Sequence, residues 1–347
     1  MNMNQLTVAY GGMSSDYSAP GDRRRFAGFA LRHNLEISQL GQNIRKSDVA
    51  VLTLGSDISR WKDIKRTHGK LVLDIVDSYI DESNLSPKKH MRGLFKSVSG
   101  QISVPHLRYT DLIKRVIANA DLVVCASIEQ QKRIELLNSN VHAIGDCFDE
   151  LTVEVFKPRA LTLGTNLLWE GMPDNLGHLK LLPSVNPLFD LTVVTSPLIK
   201  GRFKLGREIS TSKFLEDSGI SCSLVPWTIS NLKLLAATST LAVIPISSSN
   251  SIAWRKSENK LLGLWSLGVP VLASPTPSYT RVSIEASLSN CLVEDTDWGN
   301  AVNMMSSNLD LMNQVARQGH DYASVRTASR VLDVLWKKSF KSIGINL

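Results

Sequence analysis

The stretch Leu241–Tyr279, LAVIPISSSNSIAWRKSENKLLGLWSLGVPVLASPTPSY, decides how the rest of the chain is read. It opens on a short apolar run, Leu241 to Ile246, whose length, β-branched content and Ser-rich exit predict a buried strand rather than a helix. A helix follows, with Ser257 as the expected N-cap, Leu261, Leu262, Leu264 and Trp265 as its apolar stripe, and Gly268 with Pro270 as its stop. Val269 to Ala273 is the next expected strand, which completes a βαβ unit of a parallel sheet. Arg255, Lys256, Asn259 and Lys260 gather at the start of the helix, where unpaired backbone N–H groups and the macrodipole favour an anion. Ligands of open α/β sheets collect beyond the carboxyl ends of the strands, so a phosphate is the expected guest, with a merely solvated basic cluster as the alternative.

The run Lys256-Ser257-Glu258-Asn259-Lys260, then LWSLGVPVLA from Leu264 to Ala273, then Pro275 and Tyr279, resembles the donor-binding segment of family 4-like glycosyltransferases with the GT-B fold. The resemblance implies an α/β protein of two Rossmann-like domains facing a cleft, with a C-terminal helix crossing back to the first domain. It also implies that this segment holds the diphosphate of a nucleotide sugar, which assigns Arg255, Lys256, Glu258, Asn259 and Lys260 to donor binding. One departure stands out. Many members of that family carry two glutamates separated by seven residues, and the matching positions here are Arg255 and Gly263. Glu258 is then the nearest carboxylate to stand in for them.

Length and composition agree with two α/β domains. The chain has 347 residues, and 43% hydrophobic with 20% charged residues describes a globular protein able to bury two cores. Its net charge of +7 suits acidic ligands without choosing among them. The basic residues are spread among acids and no nucleic-acid reading module is present, so no nucleic-acid partner is expected. Cys125, Cys147, Cys222 and Cys291 have neither zinc-ligand nor disulfide-framework spacing, which points to a reducing cytoplasm. The first residues, MNMNQLTVAYGG, show no basic segment leading into an apolar core, so no secretory signal is expected, and no apolar run approaches the roughly 20 residues that cross a bilayer. A cytoplasmic protein, at most peripheral on the inner face of the membrane, is the expectation.

Taken in order, Leu6 to Tyr10 is an expected strand followed by Gly11-Gly12, which lets the backbone turn tightly and approach a ligand; a plain turn is the alternative. A helix is predicted from Asp22 to His33 with Arg23, Arg24 and Arg25 in its first turn, where cations oppose the macrodipole and so suggest a phosphate of donor or acceptor, with a solvated surface cluster as the alternative. Asp16 in the loop before it is a candidate general base, or else a loop cap. Val49 to Leu54 and Lys70 to Val76 are further strands. The phrase LVLDIVDSY, Leu71 to Tyr79, is similar to the family segment in which an aspartate closes a strand at the cleft, which makes Asp77 the leading catalytic candidate with Asp16 and Lys256, or else a cap of the next element. From Ser86 to Arg115 the cations Lys88, Lys89, Arg92, Lys96, Arg108, Lys114 and Arg115 face one acid, Asp111, and alternate with Leu94, Phe95, Val98 and Leu107. Such a strip suits an anionic membrane surface, or is a solvated helix face. His90 and His106 lack further ligands, so no metal is expected.

Asp121 to Ser127, a helix from Glu129 to Asn138 and the run VHAIGDCFD close the first domain, with a hinge between about Phe148 and Ala160. The expected domains are 1–153 for the acceptor, 154–324 for the nucleotide sugar, and 325–347 for the terminal helix and tail. In the second half Leu163 to Trp169 should be a strand leading to the loop Glu170-Gly171 and a helix from near Asn175. Leu191–Thr195, Ser221–Val225 and Asn290–Glu294 are expected strands, and Val325–Phe340 a helix. Gly171 is positioned for close approach to donor, and Trp227 either stacks on the nucleotide base or packs in the core. The expected activity is transfer of a sugar, hexosyltransferase-like and retaining, from a nucleotide sugar to a glycan or lipid-linked acceptor in polysaccharide synthesis, with no cofactor and no metal. The alternative is a non-catalytic glycosyltransferase-like subunit.

Overall fold

The computed structural model describes residues 6–41, 46–77, 80, 87–159, 165–182, 189–199 and 208–347, the side chains of 87–91 excepted. Ser78, Tyr79 and Leu163 therefore lie outside the described residues, as do the side chains of Lys88, Lys89 and His90. The chain divides into two compact units, Met1–Cys147 with Arg255–Ser257 and Ser329–Leu347, and Phe148–Trp254 with Glu258–Ala328. The C-terminal segment thus belongs with the first unit.

The first unit is built on β1 (Val8–Gly11), β2 (Ile37–Gln39), β3 (Val49–Thr53), β4 (Lys70–Ile75), β5 (Leu122–Cys125) and β6 (Val141–Ala143), in the spatial order β2-β1-β3-β4-β5-β6 with every pairing parallel. The central strands VAVLT and LVVC are apolar almost throughout because a parallel sheet is covered on both faces. Alternation along each strand divides them between two cores. Ala50, Leu52, Leu71, Leu73 and Val123 pack with Leu112, Ile113 and Val116 of the helix Tyr109–Asn119. Val49, Val51, Val72 and Val124 meet Phe26, Phe29, Trp336 and Phe340. The last two rings lie on the helix Ser329–Lys341, and the Phe26 and Phe340 rings stack with centroids 5.5 Å apart. This aromatic contact, with the Arg32–Asp333 ion pair, is why the C-terminus joins the first unit.

The second unit contains β7 (Thr165–Glu170), β8 (Phe189–Thr195), β11 (Ser223–Pro226), β12 (Leu241–Ile244) and β13 (Val271–Ala273), parallel in the order β11-β8-β7-β12-β13. β9 (Leu198–Ile199) and β10 (Ile209–Ser210) form a separate antiparallel pair. A single hydrophobic core that includes Trp169, Val193, Ala242, Trp265, Leu272 and Trp298 is built around both faces of the sheet. Arg159, largely buried, ties two helix ends together by donating to the carbonyl oxygens of Ala236 and Ser239 on one and of Gly268 on the other. Burial lowers its guanidinium to about 10, still ionised at neutral pH.

Several expected elements differ. The predicted helix Asp22–His33 is two, Pro20–Arg23 and Phe26–Arg32, broken where the Arg25 side chain turns into the core. The segment after Met172 winds as a 3-10 helix, Pro173–Leu181, led by Pro173. Asn290–Glu294 is no strand: Ser289–Cys291 is a 3-10 turn and only Leu292 bridges Ala273. The C-terminal helix expected from Val325 is the end of one helix, Leu309–Arg326, and a second that begins at Ser329.

Candidate functional site

In each unit the sheet order reverses at one place, and the residues beyond the carboxyl ends of the two strands there form the natural ligand edge. In the first unit that place lies between β1 and β3. Gly11 and Gly12 leave β1 there, and Gly55 follows β3. A Cβ on Gly11 would fall 2.6 Å from Ser56 Cβ, and one on Gly55 would fall 2.6 Å from Met13 Cα, so these glycines let the two loops lie against each other. Thr53 Oγ1 donates to Gly11 O at 2.8 Å and holds them together. The loop is then gathered by Asp22, a residue that sequence reasoning did not single out. Its fully buried carboxylate accepts from Met13 N, Ser14 N, Ser14 Oγ and Tyr10 Oη, at 2.6 to 3.1 Å. Burial, followed by the hydrogen bond to Asp22, drives the Tyr10 phenol far above its ordinary range, so it stays a donor. The only signal in the sequence was an acid placed shortly after a Gly-Gly turn.

The three arginines part company. Arg25 does not face solvent or ligand. It is 0% exposed, bonded through Nε and Nη2 to Asp74 at 2.6 to 3.1 Å, through Nη1 to Ile144 O at 2.6 Å, and to Asp146 Oδ1 at 3.3 Å. Burial works against its charge, and the two carboxylates more than offset that. Arg23 Nη1 donates to Ser18 O at 2.9 Å within the loop, and Arg24 caps the short helix. Asp16, exposed, accepts from Ser18 N and Oγ, and the Ser18 hydroxyl lowers its carboxyl below the usual range. In this state it caps the loop and is a weak base.

Asp77, just beyond β4, and Lys256 are both placed in the first unit, with Lys256 Nζ 3.4 Å from Asp77 Oδ1. Two of the three catalytic candidates are thus neighbours. The pair is well exposed, at 42% and 37%, so its contribution to stability is small. Gln130, 1% exposed, fixes the Asp77 backbone by donating to its carbonyl at 3.2 Å. Arg255 is exposed and its carbonyl accepts from Arg133.

In the second unit the reversal falls between β7 and β12. Beyond β7 come Glu170 and Gly171; beyond β12 comes the Ser-rich loop, tied down where Ser247 N donates to His178 Nδ1 at 3.1 Å. The helix Asn259–Ser266 starts at this edge. Its N-cap is Glu258 rather than Ser257, and no side chain caps it, because the Glu258 carboxylate is taken by Arg281 Nη2 at 2.5 Å. Gly268, in the left-handed region at φ 68°, ends the helix as predicted. The N–H groups of its first turn precede the first intrahelical bond, Leu262 N to Glu258 O. Beside them the Lys260 ammonium lies 4.7 Å above the Trp169 ring centroid, and a Cβ on Gly171 would come within 2.5 Å of Lys260 Nζ. Trp227 completes the group, its Nε1 donating to Glu170 Oε2 at 3.1 Å while the ring packs partly on the core. Gly171, Trp227, Glu258, Asn259 and Lys260 are therefore brought to one edge of one unit. A Cβ on Gly263 would lie in ordinary contact with the Phe148 ring at 3.5 Å, so the second position of the expected acidic pair is set against the core. Among the described residues no group of three or more His, Cys, Asp or Glu is arranged to hold a metal ion.

No protein-family model matches the chain, and no curated protein matches it by sequence. Solved structures do resemble it. Sucrose-phosphate synthase from Thermosynechococcus elongatus matches with TM-score 0.61 at 11% identity, over 86% of this chain and 74% of that one. HepE of Anabaena, in complex with UDP-glucose, matches with TM-score 0.62 at 13% identity, over 97% of this chain and all of that one, 100%. WaaG, a glycosyltransferase involved in lipopolysaccharide biosynthesis, matches with TM-score 0.56 at 13% identity, over 98% of this chain and 100% of that one. Two parallel-sheet units together with these likenesses define the GT-B fold that the donor-like segment implied.

Proposed function

We propose that this chain is a glycosyltransferase that takes a sugar from a nucleotide sugar bound by its second unit and passes it to a glycan or lipid-linked acceptor bound by its first. The observation that carries the reading is the Lys260 ammonium held over Trp169, against Gly171, on the first turn of the Asn259–Ser266 helix. Breaking the bond between the sugar and its nucleotide leaves a diphosphate whose charge grows in the transition state. A fixed cation and helix N–H groups offset that charge in place, and they do so without a metal. Asn259 would complete the phosphate contacts of the second unit, and Arg255, Lys256 and Asp77 are proposed to serve the reaction as residues of the first. Trp227, held by Glu170, would stack on the nucleotide base. UDP is the first nucleotide to test, since HepE was solved with UDP-glucose. On the first unit, Arg23 and Arg24 would contact the acceptor or a phosphate, Asp16 would serve as a catalytic carboxylate, and Gly12 would let the loop approach the donor.

The test is thermal shift of the purified protein with UDP, GDP, dTDP, CMP and ADP, beside Lys256→Ala. A nucleotide at about 100 times its dissociation constant stabilises by roughly 2.7 kcal/mol. A shift with one nucleotide, reduced in the variant, supports the reading; no shift with any of them removes it. Burial of Glu258 under Arg281 and the glycine at 263 favour a second reading, a non-catalytic subunit that binds a sugar nucleotide. Release of sugar from the donor by the purified chain alone would dismiss that alternative.

A further inference from the structure

The loop that leaves β1 holds one residue in a conformation its side chain disfavours. Tyr17 lies in the left-handed region at φ 59°, where the Cβ of an L-residue crowds the backbone and a bulky side chain is a rare occupant. Asn34 at φ 51° and Ser287 at φ 58° share that region, yet each is the residue just past a helix C-cap, where such a backbone is ordinary. Tyr17 ends no helix. The loop around it is tied down instead. Asp22, fully buried, accepts from Met13 N and Ser14 N; Ser14 Oγ in turn accepts from Ala19 N at 3.0 Å, and Tyr17 N donates to Ser14 O at 3.4 Å. The ring is set by contact: its centroid lies 5.2 Å from that of Tyr10, with the planes inclined at 56°, and a Cβ on Gly12 would fall 3.0 Å from its Cδ1. A strained backbone that its surroundings hold in place at a ligand edge marks a position kept for what its side chain does.

Two features of this loop define what it can receive. Its consecutive N–H groups at Met13 and Ser14, which would otherwise form a concavity for an anion, are already bound to the Asp22 carboxylate. A phosphate brought to them would meet a negative charge instead of open donors. Tyr17, in contrast, is half-buried, and its hydroxyl makes no hydrogen bond among the described residues. Burial, and then the charge of Asp22, raises that phenol, so at neutral pH it stays protonated and can both donate and accept. A flat ring with one polar tip suits a pyranose, whose apolar C–H face covers the ring while one of its hydroxyls meets Oη.

We propose that Tyr17 is the platform on which the first unit seats a neutral pyranose of the acceptor, on the loop that Asp22 holds. This rests on the reading of the first unit as the acceptor side, and it names a sugar ring rather than a phosphate as the group recognised there. Saturation-transfer NMR on the full chain tests it, with the methyl glycosides of glucose, galactose, mannose and N-acetylglucosamine and with glycerol 3-phosphate as probes. At least one glycoside should take up saturation at its ring C–H protons, and glycerol 3-phosphate should not. Tyr17→Phe, which keeps the ring, should retain that binding. Tyr17→Ala should weaken it by about 10-fold, the loss of one aromatic contact. Tyr17→Asn, which tolerates the left-handed backbone but has no ring, should weaken it equally. A glycoside signal that Tyr17→Asn leaves intact overturns the proposal, because the loop conformation alone then suffices. So does the absence of a signal from every glycoside, or saturation of glycerol 3-phosphate in their place. Failure of the transferase reading shows separately, as the absence of any stabilising nucleotide in the thermal screen, which these glycoside outcomes leave untouched.

Discussion

Arg25→Met distinguishes a ligand-binding arginine from a core one, and the structure fixes what it should cost. The wild-type guanidinium is 0% exposed and makes three contacts of 2.6 to 3.1 Å with Asp74, one with Ile144 O and one with Asp146. Methionine fills much of the volume but none of the charge. Asp74, 1% exposed, would then keep its carboxylate among Val72, Val124 and Phe26 with no cation, and Asp146 would lose its partner too. Breaking one side of a buried ion pair costs about 3 to 5 kcal/mol, against a total stability of about 5 to 15 kcal/mol. Hydrogen exchange reports the effect in the first unit by itself: amides of β1, β3 and β4 should exchange roughly 100-fold faster or more, while those of β7 and β12 should not change. Arg25→Met with Asp74→Leu, which removes both members of the closest pair, should recover much of the loss. Unchanged protection in Arg25→Met, with nucleotide or acceptor binding lost instead, would refute the assignment of Arg25 to the core.

Lys260→Met should leave the fold intact and weaken a nucleoside diphosphate by about 10- to 150-fold, the loss of one charge-assisted contact worth about 1.5 to 3 kcal/mol, without changing affinity for the nucleoside; equal losses for both in calorimetry would remove Lys260 from the phosphate site. Gly319→Ala places a Cβ 2.6 Å from Trp265 Cδ1, where the helix Leu309–Arg326 crosses Asn259–Ser266, so urea unfolding should show a loss of about 1 to 3 kcal/mol in the second unit. Acid should loosen the first unit from about pH 6.5 downward. Burial lowers the folded-state values of His68, His106 and His142 below 6.5, so above that pH both states are neutral and stability is whole, whereas below it the unfolded chain binds protons that the folded chain refuses, until pH passes the folded values. His68→Asn, which keeps an acceptor for Ser47 N, should flatten that limb in melts followed against pH; an identical limb would exclude His68 as a contributor.

The two-unit parallel architecture and the βαβ segment at its centre were legible in the sequence. Apolar runs such as VAVLT and LVVC, the Gly268 stop and the Leu261–Trp265 stripe each depend on a few neighbouring residues, and local rules act over that range. The placement of Asn259 and Lys260 at a helix start was legible for the same reason, since a helix start and its cations are adjacent in the chain. What the tertiary structure alone decided is where charged side chains go. Arg23, Arg24 and Arg25 are indistinguishable as sequence, yet Arg25 is the one found buried against Asp74 and Asp146, which lie 49 and 121 residues away. Glu258 cannot be known to serve Arg281, nor Asp22 to gather the Gly-Gly loop, until the chain is folded. The physical reason is that burying apolar surface depends mainly on residue type and spacing, whereas a buried charge is tolerable only where distant partners arrive at hydrogen-bond distance.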